Sequence, residues 1–398
     1  MKLLPSHLSK LAVFLTLSVV SSSLAAVLPR RNCIDVQIPV TVAANNRVIA
    51  DISGLLEDPT TIFESTTTTS TIFDLLLGNF PVESTETFAA TYCEPTNQVP
   101  SRTNTLQLLV PGITYNRRYW DGSLSVTNQS SFSYVDYALS QGYPTLNIDR
   151  IGTGLSSHPD PLLTLQLPFD VRATHVLIQH IKQGTTTVLP RAFDKVIFVG
   201  HSFGSIIGNN LVKDFPADAD ATVLTGFSKS IAQALAGILI DVPLPAALFD
   251  PARFSTLPLL YILLTDKSNR EASFYYGPDV YYSRANYNID FAQTDTVGVG
   301  EALTAFPGIS AAPAYTGKVF ILTGNEDAAF CGLGSTLLGQ ANCGNGPGSI
   351  IDTTRELFPN AAVYDYYVIP NCGHCLNYQF SAPDSYSRVH QWLQGQGF

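Results

Sequence analysis

Short apolar runs alternate with longer amphipathic stretches from about residue 105 to the end of the chain. The apolar, β-branched runs predict strands at 105–110, 143–149, 194–200, 221–226, 318–324 and 363–369. The amphipathic stretches predict helices at 130–142, 168–184, 205–215 and 383–394. Strands that alternate with helices indicate a mostly parallel sheet covered by helices on both faces. We therefore expect an α/β fold that binds its ligand at the carboxyl ends of the strands.

Two regions depart from this alternation. Residues 27–104 are rich in Thr, Ser and Val and contain strand-like runs, which predicts an N-terminal extension that adds strands to the sheet. Within the main domain, predicted over 105–398, the stretch 227–315 is helical in pattern, punctuated by proline and rich in aromatic residues. An insertion of this kind beside the ligand-binding edge predicts a helical cap.

The first 26 residues have the pattern of a signal peptide. Two lysines precede an apolar run at 11–20, and the small residues of 21–26 follow it. The apolar run has about half of the ~20 residues that a membrane-spanning helix needs. We predict a secreted protein without a membrane span, and the pair Arg30-Arg31 offers a second processing site that would leave Asn32 first.

Composition narrows the class of protein. Hydrophobic residues make up 45% of the chain, which is typical of a folded domain. The net charge of −10 argues against a nucleic-acid partner, because binding a phosphate backbone requires a basic surface. Asn128 begins an Asn-Gln-Ser sequon, so we expect a glycan there in a secreted protein.

The chain has six cysteines, and a secreted protein folds in an oxidising compartment, where we expect cysteines to form disulfides. We expect the pairs Cys33–Cys93, Cys331–Cys343 and Cys372–Cys375 among the fifteen connectivities that six cysteines allow.

The candidate nucleophile is Ser202 in the motif Gly200-His201-Ser202-Phe203-Gly204. A reactive serine needs a tight strand-to-helix turn that exposes its hydroxyl, and glycines two residues away on each side let the backbone pass without a clash. The motif lies between a predicted strand and a predicted helix, which is the context that such a turn requires.

A serine nucleophile needs a base and an orienting acid, which follow it in the order acid, then histidine, in this kind of sheet. Only His374 and His390 lie downstream. We predict His374 as the base, because it follows the last strand in a loop, whereas His390 falls in the terminal helix. For the acid we predict Asp327, just after strand 318–324, with Glu326 as its rival.

The oxyanion formed during acyl transfer would be held by backbone N–H groups. We predict the N–H of Phe203, which follows the nucleophile, and that of Ile113, with Thr114 as the second choice.

The chain resembles the α/β-hydrolase superfamily over roughly residues 105–396. The resemblance depends on an ordered series of motifs: VPGITYNRRYW, NIDRIGTGLSS, VGHSFG, LTGNEDAAF and NCGHCLN. It implies an α/β-hydrolase fold with a cap, similar to secreted fungal serine hydrolases. Many relatives have His-Gly where this chain has Pro111-Gly112, a change that leaves the backbone donor in place.

The resemblance implies an ester hydrolase that acts on a small-molecule ester or lactone, with no cofactor and no metal. Its substrate would be apolar or aromatic, as the aromatic cap suggests.

A secreted aminopeptidase is the first alternative, with Asp250, Asp279 and Asp290 as candidates to bind an amino terminus. The second is a non-catalytic protein that binds a ligand on a hydrolase scaffold. The Cys-x-x-Cys around His374 also admits a redox interpretation, which its place near the end of the chain disfavours. It admits a zinc interpretation too, but zinc would need a second ligand pair at finger-like spacing, and the pair Cys331 and Cys343 gives that no support.

Overall fold

A mostly parallel sheet forms the centre of the fold. The computed structural model describes residues 32–50, 76–122, 130–230, 243–277, 280–332 and 343–398. In chain order the strands are β1 (Asn32–Ile49), β2 (Leu76–Glu94), β3 (Thr105–Val110), β4 (Thr145–Ile148), β5 (Lys195–His201), β6 (Ala221–Thr225), β7 (Pro243–Pro245), β8 (Tyr261–Leu264), β9 (Val297–Gly298), β10 (Lys318–Gly324) and β11 (Val363–Ile369).

The described part of the central sheet has eight strands in the order β1-β2-β4-β3-β5-β6-β10-β11. All neighbours from β4 to β11 are parallel, whereas β2 runs antiparallel to both β4 and β1. Every residue of β3, β4 and β6 is buried, as expected for strands covered on both faces. The predicted α/β-hydrolase fold, with a mostly parallel sheet and flanking helices, is confirmed.

The α-helices of the described residues are, in chain order, α1 (Tyr134–Ser140), α2 (Leu167–Gln183), α3 (Phe203–Asp214), α4 (Ala246–Phe249), α5 (Pro251–Phe254), α6 (Lys267–Phe274), α7 (Arg284–Ala292), α8 (Val299–Ala305), α9 (Ala328–Cys331), α10 (Ile350–Thr353) and α11 (Ala382–Gly395). The first helix begins later than its sequence predicts. The side chain of Ser133 accepts a hydrogen bond from the backbone N–H of Asp136 and so caps α1 at its N-terminus. None of the described helices is long and apolar enough to cross a membrane.

Residues 32–94 contribute a long hairpin. β1 and β2 pair over nearly their whole length, but β2 joins β4 only through residues 90–93. Because β2 runs antiparallel to β4, its residues 76–89 extend beyond the carboxyl end of β4, the edge where ligands bind in such sheets. The hairpin is anchored there by Asn46, whose side-chain amide donates to the carbonyls of Leu163 and Thr164.

The stretch between β6 and β10 is less purely helical than its sequence predicts. Its described residues include helices α4 to α8, but also a second sheet of three antiparallel strands in the order β7-β8-β9. One residue of this stretch, Glu301 in α8, is fully buried and forms an ion pair with Arg150, which follows β4. We call the described residues 243–308 the cap.

Candidate active site

Ser202 lies at the turn between β5 and α3. Its backbone is in an unusual region, with φ 54° and ψ −116°, and its side chain is buried. The N–H of Ser202 donates to the carbonyl of Thr225 at the end of β6, with an N–O distance of 2.9 Å. A non-glycine residue at positive φ costs conformational energy and persists only where the surrounding structure holds it. This strand-turn-helix context is the one that the sequence predicts for a nucleophile.

Asp327 and His374 form a buried pair. The Nδ1 of His374 lies 3.0 Å from Oδ2 of Asp327, and both side chains are fully buried. Two further donors hold the carboxylate: the hydroxyl of Thr323 donates to Oδ2 at 2.5 Å, and the N–H of Phe330 donates to Oδ1 at 2.9 Å. The rival acid Glu326 is exposed to solvent. Of the two neighbouring carboxylates, only Asp327 contacts the histidine.

The tautomer of His374 follows from these contacts. An ionised carboxylate can only accept hydrogen bonds, so Nδ1 of His374 carries the proton that it donates to Asp327. The opposite nitrogen, Nε2, therefore has a free lone pair. It is buried and has no hydrogen-bond partner among the described residues. This is the state that a general base requires before it accepts a proton from a serine.

The turn after β6 lies against the rings of both His374 and His201. Gly226 has φ +55°, and an ideal Cβ on it would lie 2.8 Å from Cε1 of His374 and 2.9 Å from Cε1 of His201. Any side chain at this position would therefore collide with both imidazoles. Gly226 follows Thr225, whose carbonyl accepts from the N–H of Ser202, so the backbone of Ser202 and the ring of His374 both lie against one short turn.

The turn after β3 passes directly against Ser202. An ideal Cβ on Gly112 would lie 2.8 Å from Cβ of Ser202, so only glycine permits this approach. The next residues are Ile113, which is buried, and Thr114, which has φ 62°. The predicted donors, the N–H groups of Ile113 and Phe203, belong to the two segments that flank the nucleophile, and their role stays a prediction.

A family model described as alpha/beta hydrolase family matches residues 107–389, which is well over half of the chain. The chain belongs to the alpha/beta hydrolase family. The match contains Ser202, Asp327 and His374 together with the turn after β3. A search of curated proteins finds no match.

Solved structures with a similar fold include several hydrolases. An alpha/beta hydrolase fold protein from Chitinophaga pinensis is 13% identical, with a TM-score of 0.48, over 77% of this chain and 94% of that one. An esterase from Rhodococcus sp. ECU1013 is 14% identical, with a TM-score of 0.47, over 78% and 96%. A proline iminopeptidase from Mycobacterium smegmatis is also 14% identical, with a TM-score of 0.47, over 78% and 95%. At these identities the likeness concerns the fold alone.

A buried arginine of the cap contacts the turn after β3 in this hydrolase. Arg270 in α6 has no exposed surface, and its guanidinium donates to the hydroxyl of Thr114 at 2.8 Å. The same guanidinium lies 3.5 Å from Asp290 in α7 and over the ring of Tyr115. Burial raises the pKa of the Asp290 carboxyl, and the charge of Arg270 opposes that rise. Sequence analysis did not find this cluster, because its members are far apart in the chain.

A second buried arginine contacts the two segments beside Ser202. Arg150 pairs with Glu301 of the cap, and its guanidinium also donates to the carbonyl of Gly112 at 3.3 Å. The guanidinium carbon lies 4.8 Å from the ring centroid of Phe203. The cap is therefore linked through Arg150 and Arg270 to the turn that carries Gly112 and Thr114. The sequence marks Arg150 only as part of the motif NIDRIGTGLSS.

The cysteines differ in one respect from the predicted pairing. Cys33–Cys93 and Cys331–Cys343 are bonded. The predicted Cys372–Cys375 disulfide is wrong, because both residues are free and buried. The Sγ of Cys375 accepts a hydrogen bond from the hydroxyl of Tyr115 at 3.1 Å, whereas the Sγ of Cys372 lies 3.5 Å from the carbonyl of Gly373. The two sulfurs flank His374 in sequence but have separate partners.

Other predicted residues fall outside the site. His390 is buried in α11, where its Nδ1 contacts the carbonyl of Tyr386 and its Nε2 contacts the side-chain amide of Gln107, so it is a packing residue. The proposed signal peptide at 1–26, the sequon residue Asn128 and Asp279 lie outside the described residues. Within the described ranges, no group of three or more His, Cys, Asp or Glu side chains is arranged to hold a metal ion.

Proposed function

We propose that this chain is a secreted serine hydrolase that cleaves carboxylic esters or lactones through an acyl-enzyme. Ser202 is the nucleophile, His374 the general base and Asp327 the acid that orients it. The N–H groups of Phe203 and Ile113 stabilise the oxyanion. The observation that carries the proposal is the buried Asp327–His374 pair: Nε2 of His374 has no partner among the described residues, and its ring lies beside Gly226 in the turn after β6, which also accepts from the N–H of Ser202.

The chemistry follows from the tautomer of His374. Nε2 accepts the proton of the Ser202 hydroxyl while Oγ attacks the ester carbonyl, and the negative charge develops on the carbonyl oxygen between the two N–H donors. The imidazolium then gives that proton to the leaving alkoxide, and the acyl-enzyme remains. In the second half His374 takes a proton from water while the water oxygen attacks the acyl carbon. The bond from that carbon to Oγ of Ser202 then breaks, and the imidazolium returns the proton to Oγ, which releases the acid and restores Ser202. Asp327 stabilises the imidazolium in both halves.

Aromatic side chains around His374 support an apolar or aromatic ester. The ring of Phe274 lies 5.1 Å from the ring of His374, and Tyr119 stacks on His201 at 4.2 Å. Tyr115 lies between Tyr119 and Phe274, at 4.7 and 6.1 Å from them. These buried rings make the surroundings of His374 and His201 apolar. No cofactor is needed for the proposed steps.

Ester cleavage is favoured over aminopeptidase activity because the two described carboxylates that could bind an amino terminus, Asp290 and Asp250, already have partners. A free amino terminus would need an unpaired acid. Asp290 already contacts Arg270 and accepts from the hydroxyl of Tyr275 at 2.8 Å. Asp250 pairs with Arg253 at 2.6 Å on the exposed side of the cap.

A fluorophosphonate probe tests the proposal. Ser202 should displace fluoride from phosphorus and become covalently labelled in the folded protein, with the label located by peptide mapping. Neither the heat-unfolded protein nor the Ser202→Ala variant should react. If the folded wild-type protein stays unlabelled at Ser202, the chain is a binding protein on a hydrolase scaffold and the proposal fails. A series of p-nitrophenyl esters of rising chain length, run beside aminoacyl-anilides, then separates esterase from peptidase activity.

A further inference from the structure

His201, the residue before the nucleophile, has a buried nitrogen that the proposed mechanism does not use. Its side chain is fully buried, and its Nε2 has no hydrogen-bond partner among the described residues. Buried polar side-chain atoms are usually hydrogen-bonded, because leaving one without a partner costs about 1–3 kcal/mol. An atom in this state next to a nucleophile is a candidate to bind a polar group of the substrate.

The hydrogen-bonding capacity of this nitrogen can be derived from its neighbours. The hydroxyl of Thr225 donates to the carbonyl of Gly200 at 2.9 Å, so it has no proton left for the imidazole. Nδ1 of His201 lies 3.2 Å from that hydroxyl oxygen and must therefore be the donor. The imidazole carries its proton on Nδ1, and Nε2 is a pure acceptor.

His201 is unsuited to act as a second base. Its Nδ1 contacts a neutral hydroxyl, whereas the Nδ1 of His374 contacts the carboxylate of Asp327. Burial lowers the pKa of the His201 imidazole well below its usual value, and the neighbouring His374 lowers it further. The ring is therefore neutral at neutral pH, and its Nε2 lone pair can accept a hydrogen bond there.

The two ring carbons bonded to Nε2 of His201, Cδ2 and Cε1, lie beside the turns that pack against Ser202 and His374. Cδ2 is 3.4 Å from an ideal Cβ on Gly112, beside Ser202, and Cε1 is 2.9 Å from an ideal Cβ on Gly226, beside His374. The ring centroids of His201 and His374 are 4.8 Å apart. Since His374 delivers its proton to the leaving oxygen, the part of the substrate next to both rings is the alcohol portion.

We propose that Nε2 of His201 accepts a hydrogen bond from a hydroxyl or amide N–H on the alcohol portion of the substrate, close to the ester oxygen. The inference rests on the proposed ester hydrolysis and narrows its substrate class to esters of diols, polyols or amido alcohols. A site built to accept such a donor discriminates against the analogue that lacks it, because the acceptor is then left unpaired.

Two esters of equal size test this assignment. 2-Hydroxyethyl and propyl esters differ only in a terminal hydroxyl in place of a methyl group, and both carry the acyl chain that the p-nitrophenyl series selects. We expect the wild-type enzyme to prefer the hydroxyethyl ester about ten-fold in kcat/KM, the effect of roughly one net hydrogen bond. A ratio near one in the wild-type enzyme overturns the inference and shows that an ordered water or nothing at all occupies the acceptor.

Two variants assign the preference to Nε2. His201→Asn keeps a donor to Thr225 and removes the distal acceptor, so the ratio should fall to near one. His201→Gln places an amide oxygen near the position of Nε2 and should keep a preference of about three-fold or more. If His201→Asn still prefers the hydroxyethyl ester about ten-fold in kcat/KM, Nε2 of His201 is not the acceptor. Thermal melting and fluorophosphonate labelling of each variant show that it is folded and reactive, so a failure at Ser202 itself counts against the proposed function rather than against His201.

Discussion

At the scale of single residues, burial decides between neighbouring groups of the same chemistry. Glu326 and Asp327 are adjacent carboxylates in the loop after β10, yet Glu326 is exposed and Asp327 is fully buried against His374. His201 and His374 are likewise two buried imidazoles whose Nδ1 atoms both donate. They differ in the partner of Nδ1, which is a hydroxyl for His201 and a carboxylate for His374. In the proposed reaction, the carboxylate would stabilise the positive charge that His374 takes on.

The Asp327→Asn variant tests the orienting role. An amide in place of the carboxylate favours the wrong tautomer of His374 and cannot stabilise the imidazolium, so kcat should fall about 10³- to 10⁴-fold. Glu326→Gln is the matched control, since it makes the same change one residue earlier on the exposed side, and kcat should stay within about two-fold of the wild-type value. Steady-state hydrolysis of a p-nitrophenyl ester measures both. If kcat falls by a similar factor in both variants, Asp327 has no orienting role that Glu326 lacks.

Thr114 links the turn after β3 to the cap, because its hydroxyl accepts a hydrogen bond from the buried guanidinium of Arg270. In Thr114→Val this guanidinium loses an acceptor, and an unpaired buried donor costs about 1–3 kcal/mol. The turn that carries Ile113 should shift to relieve that cost. We expect kcat for ester hydrolysis to fall about ten- to hundred-fold, with a smaller change in KM, because the oxyanion is bound only in the transition state.

Thr114→Ser is the control for this variant. It keeps the hydroxyl and removes only the methyl group, so kcat should remain within a few-fold of the wild-type value. Equal losses in the serine and valine variants would mean that packing at Thr114, and not its bond to Arg270, supports the turn.

At the scale of elements, a buried series of hydrogen bonds connects the terminal helix α11 to strand β3 of the central sheet. The hydroxyl of Tyr134 in α1 donates to Gln107 in β3 at 2.8 Å, and the amide nitrogen of Gln107 lies 3.1 Å from Nε2 of His390 in α11. Nδ1 of His390 is 2.8 Å from the carbonyl of Tyr386. Since Nδ1–H donates to that carbonyl and Nε2 accepts from Gln107, the imidazole is held in its neutral form.

His390 should make folding stability depend on pH. Burial lowers the pKa of its imidazole to about 4, against about 6.5 in an unfolded chain. Between these values the unfolded state binds a proton that the folded state does not, so stability falls as pH falls from 6.5 to 4 and is fully present above 6.5. The difference corresponds to about 3 kcal/mol at pH 4, from about 1.4 kcal/mol for each pKa unit.

Denaturant unfolding of the wild-type protein and of His390→Gln, repeated from pH 8 to pH 4, measures this contribution. Above pH 7 the two unfolding free energies should differ by a constant. Below pH 6.5 the wild-type value should drop more steeply, and the gap should narrow or reverse. If the two curves stay parallel down to pH 4, the titration of His390 does not contribute to stability.

Local patterns account for the elements that the sequence predicts well. Strands β3, β5, β6, β10 and β11 are apolar runs, and their observed bounds differ from the predicted ones by one residue at most. Ser202 and His374 also follow from local signals, namely a motif in its strand-turn-helix context and a histidine after the last strand. Each of these features depends on residues close together in the chain.

The remaining features depend on contacts between distant residues. Arg270 and Thr114 are 156 positions apart, and no local pattern indicates that one bonds to the other. The sequence favours Asp327 but leaves Glu326 as a rival, because which of the two side chains the loop buries depends on contacts with distant residues. The Cys372–Cys375 pairing failed for a related reason: closeness in sequence does not determine the direction in which a sulfur points.

At the scale of the whole molecule, the two bonded cysteine pairs constrain chain segments of different length. Cys33–Cys93 closes a loop over a sequence separation of 60 and joins β1 to β2, whereas Cys331–Cys343 spans a separation of 12 after α9. The entropy of loop closure assigns about 4 kcal/mol to the longer loop and about 3 kcal/mol to the shorter one, as model-dependent contributions to the free energy of unfolding. Both bonds lie outside the proposed catalytic residues.

The thiols of Cys372 and Cys375 should be inert in the folded protein and reactive once it unfolds. Both are fully buried, and burial raises the pKa of the Cys372 thiol to about 12 and that of Cys375 well above its usual value. Thiolate is the reactive form, so neither residue should react with a thiol reagent at neutral pH. In denaturant without a reductant, we expect two thiols per chain, since four of the six cysteines are bonded.

Titration with Ellman's reagent counts these thiols, and mass spectrometry of alkylated peptides locates them. A count of zero in denaturant would mean that Cys372 and Cys375 pair in the purified protein, and the free thiols of the structure would then be wrong. With two free thiols, partial reduction can act only on the two remaining bonds. Fluorophosphonate labelling of Ser202 should then persist in mild reductant until the protein unfolds, because no disulfide closes a ring around His374.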